Sequence, residues 1–474
     1  MTQEKKRLGD VAVLGLGKTG EAVARYLAGQ GEPRVSSVTL FGGAKSAPGE
    51  KTEQLEAAGV RVVCGTEEVS GRYDLAVASP GIPDTSDFFL SAKAAAAEVI
   101  GEPEFAFRES PERWVAITGT NGKTTTTSLT TALLHESGRS AVAVGNIGRL
   151  ITDELAARPA DGWFVAELSS FQLATTRTLH PRAAALLNVT PDHLEWHHTM
   201  EAYAAAKERV FANQTAGDLA VVSVDDAWCE AVAARLAARP DQARPAVCRL
   251  SVHAEPESPD AAFLREGTLV VRLGGCEHAL VDMADLKIQG LHNAENALAA
   301  SAMALFLGVS EKDVVRGLTS FSPIEHRIEP AGTVAGVHYV NDSKATNTDS
   351  VEKALTAFAP GTVVLLLGGH DKQTDLTSLA EAVCADCRVA VCYGAAGPRI
   401  VEALESAKAA SGAALEILRA PYMREAFDEA VAAARPGDTV LLSPACSSFD
   451  EFNNMGERGR LFKGLVAELA QREG

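Results

Sequence analysis

The sequence lacks a long apolar run. Its longest runs, such as residues 363–367 (VVLLL), have the length of a strand, whereas a helix that crosses a bilayer needs about 20 apolar residues. The first ten residues, MTQEKKRLGD, are polar and contain no apolar segment typical of a secretory signal. We therefore expect a cytoplasmic protein without a membrane partner.

Positive charge is also scarce. The chain has 44 Lys and Arg residues against 62 Asp and Glu residues, and its formal net charge is −18. Proteins that bind nucleic acids present a basic face to the phosphates, so this balance argues against a nucleic-acid partner. It does not exclude nucleotide substrates, because a few Lys or Arg side chains and metal ions can reverse the field locally.

Cysteine is sparse and scattered, with 8 residues in the chain. Only Cys384 and Cys387 form a CxxC pair, and no second pair completes a zinc site. The pair lies outside a thioredoxin-like context. We therefore interpret the cysteines as reduced residues that pack in the protein interior.

The sequence does contain a repeated pattern of strand, glycine-rich turn and helix, which predicts parallel α/β sheets. At 474 residues the chain is too long for one hydrophobic core. We predict a Rossmann-like domain over residues 1–108, a P-loop-type central domain over 109–323 and a second Rossmann-like domain over 324–474. The first boundary is placed in a polar connector that contains Pro103 and Pro111, and the second near Pro323. Residues 217–285 are only weakly patterned.

The first glycine-rich turn, GLGKTG at residues 15–20, matches the dinucleotide fingerprint GxGxxG between a strand and a helix. An NAD site also needs an acidic residue at the end of the second strand, which binds the ribose. That strand, SVTLFGGAK, ends in Phe41 and two glycines. We favour a nucleotide diphosphate other than NAD at this turn, with NAD or a structural turn without ligand as alternatives.

The second glycine-rich stretch, AITGTNGKTTTTSL at residues 116–129, resembles a phosphate-binding loop with altered spacing. Gly122, Lys123 and Thr124 fit the end of the pattern GxxxxGK[ST], but Ile117 stands at the first glycine position and Gly119 is displaced by two. Backbone N–H groups of a tight turn still cradle phosphate oxygens. Lys123 can reach the β- and γ-phosphates, and the Thr124 hydroxyl can bind Mg²⁺. The residues predicted to hold the phosphates are Gly119, Thr120, Asn121, Gly122, Lys123, Thr124 and Thr125.

Two further segments contain candidate metal ligands. Glu167 ends a predicted strand, and its hard oxygen atoms suit Mg²⁺; a solvated glutamate is the alternative. In TPDHLEWHH, His193 lies at a strand end and is the better metal candidate. We interpret His197 and His198 as solvated.

Taken together, the motifs resemble those of the Mur ligase family over the whole chain. The sequence contains, in the order found in that family, TGTNGKTT, ELSSFQL, NVTPDHLEW, YAAAKERVF, GLHNAENALAA, EHR, NDSKATN and LLSPACSSFDEF. The central motifs are shared by the superfamily, which includes folylpolyglutamate synthases. The last two resemble in particular the D-glutamate-adding members.

The resemblance implies an enzyme that ligates D-glutamate to UDP-N-acetylmuramoyl-L-alanine (UDP-MurNAc-L-alanine), with ATP as the activating substrate and an acyl phosphate as the intermediate. It implies an N-terminal domain for the UDP end, a central domain for ATP and two Mg²⁺ ions, and a C-terminal domain that closes over both and brings D-glutamate. It further implies a monomer that acts in cytoplasmic peptidoglycan precursor synthesis.

The resemblance also implies roles for individual residues. The catalytic set is Lys123, His193 and Lys207. The UDP-substrate set is Lys18, Thr19, Ser79, Gly81, Asn146, Ser169 and His193. Beyond the phosphate loop, the ATP set is Asn293, Asn296, Arg327 and Asp342. The D-glutamate set is Lys344, Thr346, Lys372 and Ser448, and the metal set is Thr124, Glu167, His193 and Lys207.

Lys207 is a special case, because the residues alone would identify it as an exposed helix lysine. In the family this lysine is carbamylated by CO₂ and becomes an anionic metal ligand. The reaction needs the neutral amine, which two nearby Mg²⁺ ions would favour. The alanines of AYAAAKERVF leave room for the added group.

Three departures from the family pattern bear on substrate binding. In GGHDKQTD, His370 stands where the family often has a small or acidic residue, and Asp371 directly precedes Lys372. Met455 stands where the family often has an aromatic residue; a backbone contact there would tolerate it, whereas a side-chain contact would weaken affinity. The N-terminal strand ends in Phe41 instead of an aspartate, so uridine recognition is expected to differ in detail.

Three other functions compete with this interpretation. A nicotinamide oxidoreductase could be built on the first glycine turn, but the ribose-binding acid is missing. A related ligase could add L-lysine or diaminopimelate, or could add glutamate to folate. A non-catalytic nucleotide-binding regulator would not need the candidate phosphate, metal and amino-acid groups that are all present.

Overall fold

The computed structural model describes residues 6–322 and 325–473. The chain divides into two compact units. Unit 1 comprises the residues up to Asp285 together with Glu295–Thr319, and unit 2 comprises Leu286–Ala294 together with the residues from Ser320 onward. Three sheets of five, nine and six strands form the framework of the described residues. This mixed α/β architecture confirms the predicted fold class.

The first sheet, in unit 1, is parallel throughout. Its elements in chain order are β1 (Gly9–Leu14), α1 (Lys18–Ala28), β2 (Val35–Phe41), α2 (Glu50–Ala57), β3 (Arg61–Val63), β4 (Leu75–Ala78), α3 (Asp87–Ala95), β5 (Val99–Gly101) and α4 (Glu102–Glu109). The strand order is β3-β2-β1-β4-β5. The order reverses between β1 and β4, and the carboxyl ends of strands at such a switch point are where ligands bind in open α/β sheets.

The stretch around Pro103 was predicted to be a polar connector, and this prediction is wrong. It forms β5 and α4, and Phe105 is only 1% exposed. Pro103 occupies the first turn of α4, where a missing N–H removes no helical hydrogen bond. Glu102 and Glu104 are also buried, because other unit 1 residues satisfy their carboxylates: Thr152 N donates to Glu102 at 2.8 Å, and Thr178 N donates to Glu104 at 2.9 Å.

The second sheet carries the phosphate-binding motif. The elements between residues 114 and 320 are β6 (Trp114–Thr118), α5 (Lys123–Glu136), β7 (Ala141–Gly145), α6 (Ile151–Glu154), β8 (Trp163–Glu167), α7 (Ser170–Ala174), β9 (Ala183–Leu186), α8 (Leu194–His197), α9 (Met200–Glu208), β10 (Leu219–Ser223), α10 (Ala227–Ala237), β11 (Ala246–Ser251), β12 (Ala261–Arg265), β13 (Thr268–Leu273), β14 (Cys276–Asp282), α11 (Leu291–Phe306) and α12 (Glu311–Ser320). The strand order is β14-β13-β12-β11-β10-β9-β6-β8-β7.

The weakly patterned residues 217–285 complete this sheet. They continue it in parallel to β12 and then add β13 and β14 as antiparallel strands. Glu266 and Gly267 join β12 to β13 with φ values of 50° and 85°, and Gly274 and Gly275 join β13 to β14 with 57° and 81°. Two-residue turns with positive φ are the preferred hairpin connections, so the two loops explain the antiparallel edge.

The third sheet belongs to unit 2. Its elements are β15 (Glu329–Val334), β16 (Val337–Asn341), α13 (Thr348–Leu355), β17 (Val363–Gly368), α14 (Thr377–Asp386), β18 (Cys387–Tyr393), α15 (Gly397–Ser411), β19 (Glu416–Arg419), α16 (Met423–Ala433), β20 (Thr439–Ala445) and α17 (Met455–Glu473). The order is β15-β16-β20-β17-β18-β19, with β15 antiparallel to β16 and the other pairs parallel.

Two sequence-based expectations can be compared with these elements. Cys384 and Cys387 carry free thiols and are buried in the core around β17 and β18, as the packing interpretation predicts. Cys276 is exposed, so the same interpretation is wrong there. The boundary expected at Pro323 lies outside the described residues. None of the helices in the described parts of the chain is both long enough and apolar enough to cross a bilayer.

Candidate functional site

The phosphate loop lies at the carboxyl end of the nine-stranded sheet. Strand β6 pairs with β8 so that Ile117 is opposite Glu167, and the chain then turns at Gly119 and Gly122 before α5 begins at Lys123. Gly119 has φ 152° and Gly122 has φ 82°. A Cβ on Gly122 would lie 2.4 Å from Oδ1 of Asn296, so glycine is required there by both backbone conformation and space.

Asn188, at the end of β9, holds the loop in place. Its carbonyl oxygen accepts from Thr120 N at 2.9 Å, and its side-chain Oδ1 accepts from Asn121 N at 2.8 Å. Asn188 is 5% exposed. This residue was not predicted from the sequence, although it stands within the motif NVTPDH.

The side-chain nitrogens of two lysines converge on the loop. Nζ of Lys123 donates to the carbonyl oxygens of Gly119 at 2.9 Å and Thr120 at 2.6 Å. Nζ of Lys207 donates to the same Gly119 carbonyl at 2.7 Å. The structure therefore brings together two of the three predicted catalytic residues.

Lys207 is 1% exposed, so its interpretation from the residues alone as an exposed helix lysine is wrong. Burial lowers the pKa of Lys207 well below its ordinary value, and the positive charge of Lys123 lowers it further. Asp192 and Cys229 act in the opposite direction. A buried lysine with a depressed pKa is typical of a functional position.

An aromatic cluster supports Lys207. Nζ of Lys207 lies 4.5 Å from the ring centroid of Tyr203, whose hydroxyl is 3.1 Å from Oγ1 of Thr120. His197 packs against Tyr203 at 5.1 Å between ring centroids and shares a 2.8 Å hydrogen bond between its Nε2 and Oγ of Ser170.

His197 is only 6% exposed, so its prediction as solvated is wrong, whereas His198 is exposed as predicted. Stacking on Phe171, at 5.6 Å between centroids and 14° between ring planes, accounts for the burial of His197.

Glu167 offers an oxygen to a cation. The residue is 2% exposed; its Oε1 accepts from Nδ2 of Asn146 at 2.9 Å, and its Oε2 is buried without a hydrogen-bond donor. A buried carboxylate oxygen without a donor is costly. Glu167 at the phosphate loop therefore fits a bound Mg²⁺, which takes hard oxygen ligands.

The remaining residues of the predicted metal set, Thr124 and His193, follow strands β6 and β9. Thr124 and Thr125, in the first turn of α5, are 5% and 1% exposed. His193 has φ 54°, and its Nε2 lies 3.5 Å from Oδ2 of Asp192. Within residues 6–322 and 325–473, no three His, Cys, Asp or Glu side chains form a metal cluster. Mg²⁺ is commonly held by one or two carboxylates, substrate phosphates and water.

The candidate UDP-binding turns also meet in unit 1. A Cβ on Gly20 would lie 1.9 Å from the carbonyl oxygen of Gly15, so only glycine lets α1 pack this closely. Ser79 follows β4 directly beside this turn, and its Oγ is buried without a hydrogen-bond partner.

The other predicted UDP-substrate residues differ in solvent exposure and in hydrogen bonding. Lys18 and Gly81 are exposed, and Thr19 is half-buried. The Ser169 hydroxyl is engaged in the N-terminal cap of α7, where it accepts from Gln172 N at 3.3 Å.

Unit 2 contains Asp342, the residue predicted to contact the ribose. It is 3% exposed, and Oγ of Ser443 donates to its Oδ2 at 2.8 Å. Burial raises the pKa of Asp342 to about 6, although Arg327 and the Ser443 hydrogen bond act against this rise. Nε of Arg327 is buried without a hydrogen-bond acceptor.

Asn293 and Asn296, both predicted in the adenine-facing motif, fall in different units. Asn293 belongs to unit 2 and donates from Nδ2 to the Gln289 carbonyl at 2.8 Å. Asn296 belongs to unit 1 and accepts from Oγ1 of Thr126 at 3.0 Å.

The predicted D-glutamate residues follow three strands of the third sheet. Lys344 and Thr346 follow β16, Lys372 follows β17 and Ser448 follows β20. Lys372 is exposed, Lys344 and Thr346 are half-buried, and Ser448 is 2% exposed. The carbonyl oxygen of Met455 accepts from Oγ of Ser343, in the loop after β16, at 2.7 Å; the effect of methionine on amino-acid affinity stays a prediction.

Arg458 is a residue that the sequence analysis missed. It is fully buried, and its guanidinium donates to the Ser343 carbonyl at 2.9 Å and to the Cys446 carbonyl at 3.1 Å. It thereby joins the loops after β16 and β20. An arginine in a charged helical segment such as GERGR normally indicates a solvated position, so the pattern carried no signal of burial.

Comparisons with known proteins are consistent with this arrangement. Three family models match in order: "Mur ligase MurD-like, N-terminal domain" over residues 9–101, "Mur ligase middle domain" over 117–304 and "Mur ligase, glutamate ligase domain" over 326–446. The chain is 37% identical over 466 residues to the UDP-N-acetylmuramoylalanine--D-glutamate ligase of Koribacter versatilis, with 98% of each chain covered. It is 38% identical over 461 residues to the ligase of the same name from Pelotomaculum thermopropionicum, with 97% of each covered.

Solved structures show the same fold at lower identity. MurF of Acinetobacter baumannii gives a TM-score of 0.60 at 16% identity and covers 97% of this chain and 93% of its own. UDP-N-acetylmuramate-alanine ligase MurC of Thermotoga maritima gives 0.57 at 18% identity and covers 97% and 99%.

Proposed function

Because the chain belongs to the Mur ligase family, we propose that it joins D-glutamate to UDP-MurNAc-L-alanine at the expense of ATP in peptidoglycan precursor synthesis. It is an ATP-dependent ligase that forms an amide bond. The observation that best supports the proposal is the phosphate loop between Lys123, Lys207 and the buried Oε2 of Glu167, which has no donor.

The chemistry explains why ATP is consumed. A carboxylate reacts poorly with an amine, because an oxide-like leaving group would have to depart. Transfer of the γ-phosphoryl group to a carboxylate oxygen of the L-alanine end gives an acyl phosphate and ADP. The D-glutamate amine then attacks the acyl carbon, and the tetrahedral intermediate expels phosphate as the amine loses its proton. The protein chiefly has to position the reactants and neutralise charge.

The chain supplies these groups from unit 1. The ammonium group of Lys123 and the backbone N–H groups of residues 119–125 would bind the phosphates. Thr124, Glu167, His193 and Lys207 would hold two Mg²⁺ ions. Bound Mg²⁺ supplies charge neutralisation on the phosphate oxygens. The buried oxygen of Glu167 supports this assignment because it accepts no hydrogen bond from the described residues.

Lys207 is proposed to act as a carbamate. Carbamylation needs the neutral amine, and neutralising an ordinary lysine of pKa ~10.4 at pH 7 costs roughly 4.6 kcal/mol. Burial and Lys123 lower the pKa of Lys207 and so reduce this cost. Attack of Nζ on CO₂ forms an N–C bond and releases one proton, which leaves an anionic oxygen donor.

Substrate recognition is assigned to the remaining sets. We propose that the UDP-substrate contacts come from Lys18, Thr19, Ser79, Gly81, Asn146, Ser169 and His193. We propose that Asn293 and Asn296 bind adenine, Arg327 the γ-phosphate and Asp342 the ribose. Lys344, Thr346, Lys372 and Ser448 would bind D-glutamate, which needs cations and hydroxyl donors for two carboxylates.

The proposal also covers the domain boundaries, the cellular compartment and the oligomeric state. The domains are taken as residues 1–108, 109–323 and 324–474. We place the reaction in the cytoplasm, because ATP and UDP-linked precursors are made there. All proposed ligands come from a single chain, so the enzyme is proposed to act as a monomer, which light scattering at assay concentration can check.

An ADP-release assay with an amino-acid panel tests the function. We expect release that requires both UDP-MurNAc-L-alanine and D-glutamate, with L-glutamate, L-lysine and diaminopimelate inactive. Activity with another amino acid would indicate a related ligase. Binding of ATP without turnover would indicate a regulator. Dependence on a nicotinamide cofactor would point to an oxidoreductase.

The carbamate has a separate test. Lys207→Ala should abolish turnover, and added bicarbonate should stimulate the CO₂-depleted wild-type enzyme. ¹³C-bicarbonate should also give a carbamate carbonyl resonance that is absent from the variant, which is a readout independent of activity. Lys93→Ala, on α3, is a control for the loss of one lysine. Full activity of Lys207→Ala would overturn the assignment.

A further inference from the structure

Asp371 directly precedes Lys372. An arginine of helix α15 binds its carboxylate. Nε of Arg399, in α15, donates to Oδ2 of Asp371 at 2.9 Å, and its NH2 group donates to Oδ1 at 2.8 Å. This bidentate geometry is the strong form of an arginine–carboxylate contact. The guanidinium of Arg399 holds the pKa of Asp371 below its ordinary value.

The same carboxylate fixes the backbone on the far side of Lys372. Asp371 Oδ1 accepts from Gln373 N at 2.8 Å, and Oδ2 accepts from the Gln373 side-chain amide at 2.8 Å. Gln373 has φ 56°, a conformation that a non-glycine residue rarely adopts. Arg399 also donates to the Thr374 carbonyl at 2.8 Å. Lys372 therefore lies in a short loop whose two neighbours are both held.

The preceding residues connect this loop to the one that carries Ser448. His370 N donates to the Ser447 carbonyl at 2.8 Å. A Cβ on Gly369 would lie 2.3 Å from the same carbonyl oxygen, so the two backbones are in close contact. His370 thus takes part in this contact through its backbone. Asp371 accepts four hydrogen bonds within unit 2.

We propose that the Asp371–Arg399 pair is a positioning device for D-glutamate: it fixes the loop that presents Lys372 and cancels the negative charge beside that lysine. The proposal rests on the proposed function, in which Lys372 binds a D-glutamate carboxylate. An uncompensated aspartate next to Lys372 would repel the carboxylates of D-glutamate. Neither Asp371 nor Arg399 needs to touch the substrate.

The two roles, orientation and neutralisation, can be separated by substitution. Arg399→Lys keeps the charge but cannot form the bidentate fork. Arg399→Gln removes the charge and leaves Asp371 uncompensated. Asp371→Asn with Arg399→Gln removes both charges, so only the loss of orientation remains. Arg424→Gln is the matched control, because Arg424 pairs with Glu468 at 3.8 Å on two other helices of unit 2.

We expect Arg399→Gln to raise the KM for D-glutamate on the order of 10-fold and Arg399→Lys about 3-fold, as for loss of one charge-assisted contact. The double variant should have a lower KM than Arg399→Gln alone. The KM values for ATP and UDP-MurNAc-L-alanine should stay within about 2-fold of wild type, and the control should match wild type throughout.

Several outcomes would overturn the inference. One is an unchanged KM for D-glutamate in Arg399→Gln. Another is a parallel rise of all three KM values with a lower melting temperature, which would indicate a purely structural pair; Arg399→Lys then serves as the less disruptive variant. A wild-type enzyme that releases ADP with an amino acid other than D-glutamate would instead refute the proposed function, so the two failures are distinguishable.

Discussion

At the scale of single residues, Tyr203 contacts both parts of the phosphate-binding machinery. Its hydroxyl lies 3.1 Å from Oγ1 of Thr120 in the loop, and its ring lies 4.5 Å from Nζ of Lys207. The hydroxyl and the ring of Tyr203 therefore have different roles. The first orders the loop, and the second stabilises the position of a lysine whose charge is disfavoured by burial.

Substitutions at Tyr203 can separate these effects. Tyr203→Phe should raise the KM for ATP by about 3- to 10-fold, the usual effect of losing one hydrogen bond, while Tyr203→Leu should also lower kcat because Lys207 loses its ring contact. Tyr73→Phe is the matched control, since that hydroxyl donates to the Ser70 carbonyl elsewhere in unit 1. Steady-state kinetics on all three variants decide the matter; equal KM values in Tyr203→Phe and Tyr73→Phe would contradict the assignment.

Asp342 makes a prediction about pH. Burial raises its folded-state pKa to about 6 from an ordinary 3.8. A raised pKa means that its contribution to stability is fully present below pH ~3.8 and is lost as the pH rises through about 6. The Asp342→Asn variant has no carboxyl group to titrate and so does not lose this stability. Its free energy of unfolding should therefore rise by about 2 to 3 kcal/mol relative to that of wild type as the pH goes from ~4 to ~7.

Denaturant unfolding followed by circular dichroism at several pH values measures this difference. Asp428→Asn, at an exposed position of α16, supplies the control. A stability difference between Asp342→Asn and wild type that is constant across the range would show that burial does not perturb the carboxyl group. The variant should also bind ATP more weakly, because the proposed ribose acceptor has lost its charge.

The sequence could not predict which polar residues are buried. Lys207 follows three alanines that permit either an exposed or a packed helix face, and its burial depends on the Gly119 carbonyl that a distant segment supplies. Arg458 is satisfied by two carbonyls from loops before it in the chain. Such partners are tertiary contacts that a local pattern does not encode. By contrast, the glycines of the phosphate loop were predictable because the positive φ values of a tight turn are a local property.

At the scale of elements, α4 is anchored by a carboxylate. Glu104 is fully buried and accepts from Arg177 N at 2.8 Å and from Nε of Arg108 at 2.8 Å. Burial alone would raise the pKa of Glu104, but hydrogen bonds from Thr178, Arg177 and Arg108 outweigh it and hold the pKa below its ordinary value. The helix that follows β5 is thereby joined to the segment after α7.

Glu104→Gln should destabilise unit 1 by about 2 to 4 kcal/mol, because the charge is lost and a backbone N–H loses its acceptor. The wild-type contribution is present above pH ~4.5 and is lost as the pH falls through the lower folded-state pKa. The difference in the free energy of unfolding between wild type and variant should therefore decrease at acidic pH. Glu112→Gln, with a side chain 79% exposed, should unfold like wild type; equal unfolding of both variants would refute the anchor.

The elements themselves were largely predictable. Strands that bear the motifs, such as β6, β8, β9 and β17, were confirmed because continuous apolar runs bounded by glycine or polar residues indicate buried parallel strands. The hairpins of β12 to β14 were missed, although GG between the segments that form β13 and β14 is a hairpin signal. Helix α4 was missed because two glutamates and a proline resemble a linker until their partners are known.

At the scale of the whole molecule, the chain is strongly acidic while every proposed substrate is an anion. The net charge of −18 repels such substrates at long range. Under the proposed function, binding would therefore depend on local groups such as Lys123 and Lys372, to which the proposed Mg²⁺ ions would add. Salt screens the long-range repulsion over a distance of about 8 Å at physiological ionic strength, whereas buried contacts are screened less.

The two units offer a test of where each substrate binds. All 4 tryptophans, Trp114, Trp163, Trp196 and Trp228, belong to unit 1, so tryptophan fluorescence follows unit 1 alone, while far-ultraviolet circular dichroism follows both units. The proposed UDP-substrate residues all lie in unit 1, and the proposed D-glutamate residues all lie in unit 2. A ligand stabilises the unit that binds it by about 2.7 kcal/mol at 100 times its Kd.

We therefore expect UDP-MurNAc-L-alanine to raise the thermal transition seen by tryptophan fluorescence by several degrees. D-Glutamate should raise the transition seen by circular dichroism alone, and Lys372→Ala should abolish that shift without altering the first. L-Glutamate at the same concentration controls for nonspecific stabilisation by a dicarboxylate. If D-glutamate raised the fluorescence transition and left the other unchanged, the amino-acid site would have to lie in unit 1, and the residues assigned to it after β16, β17 and β20 would be wrong.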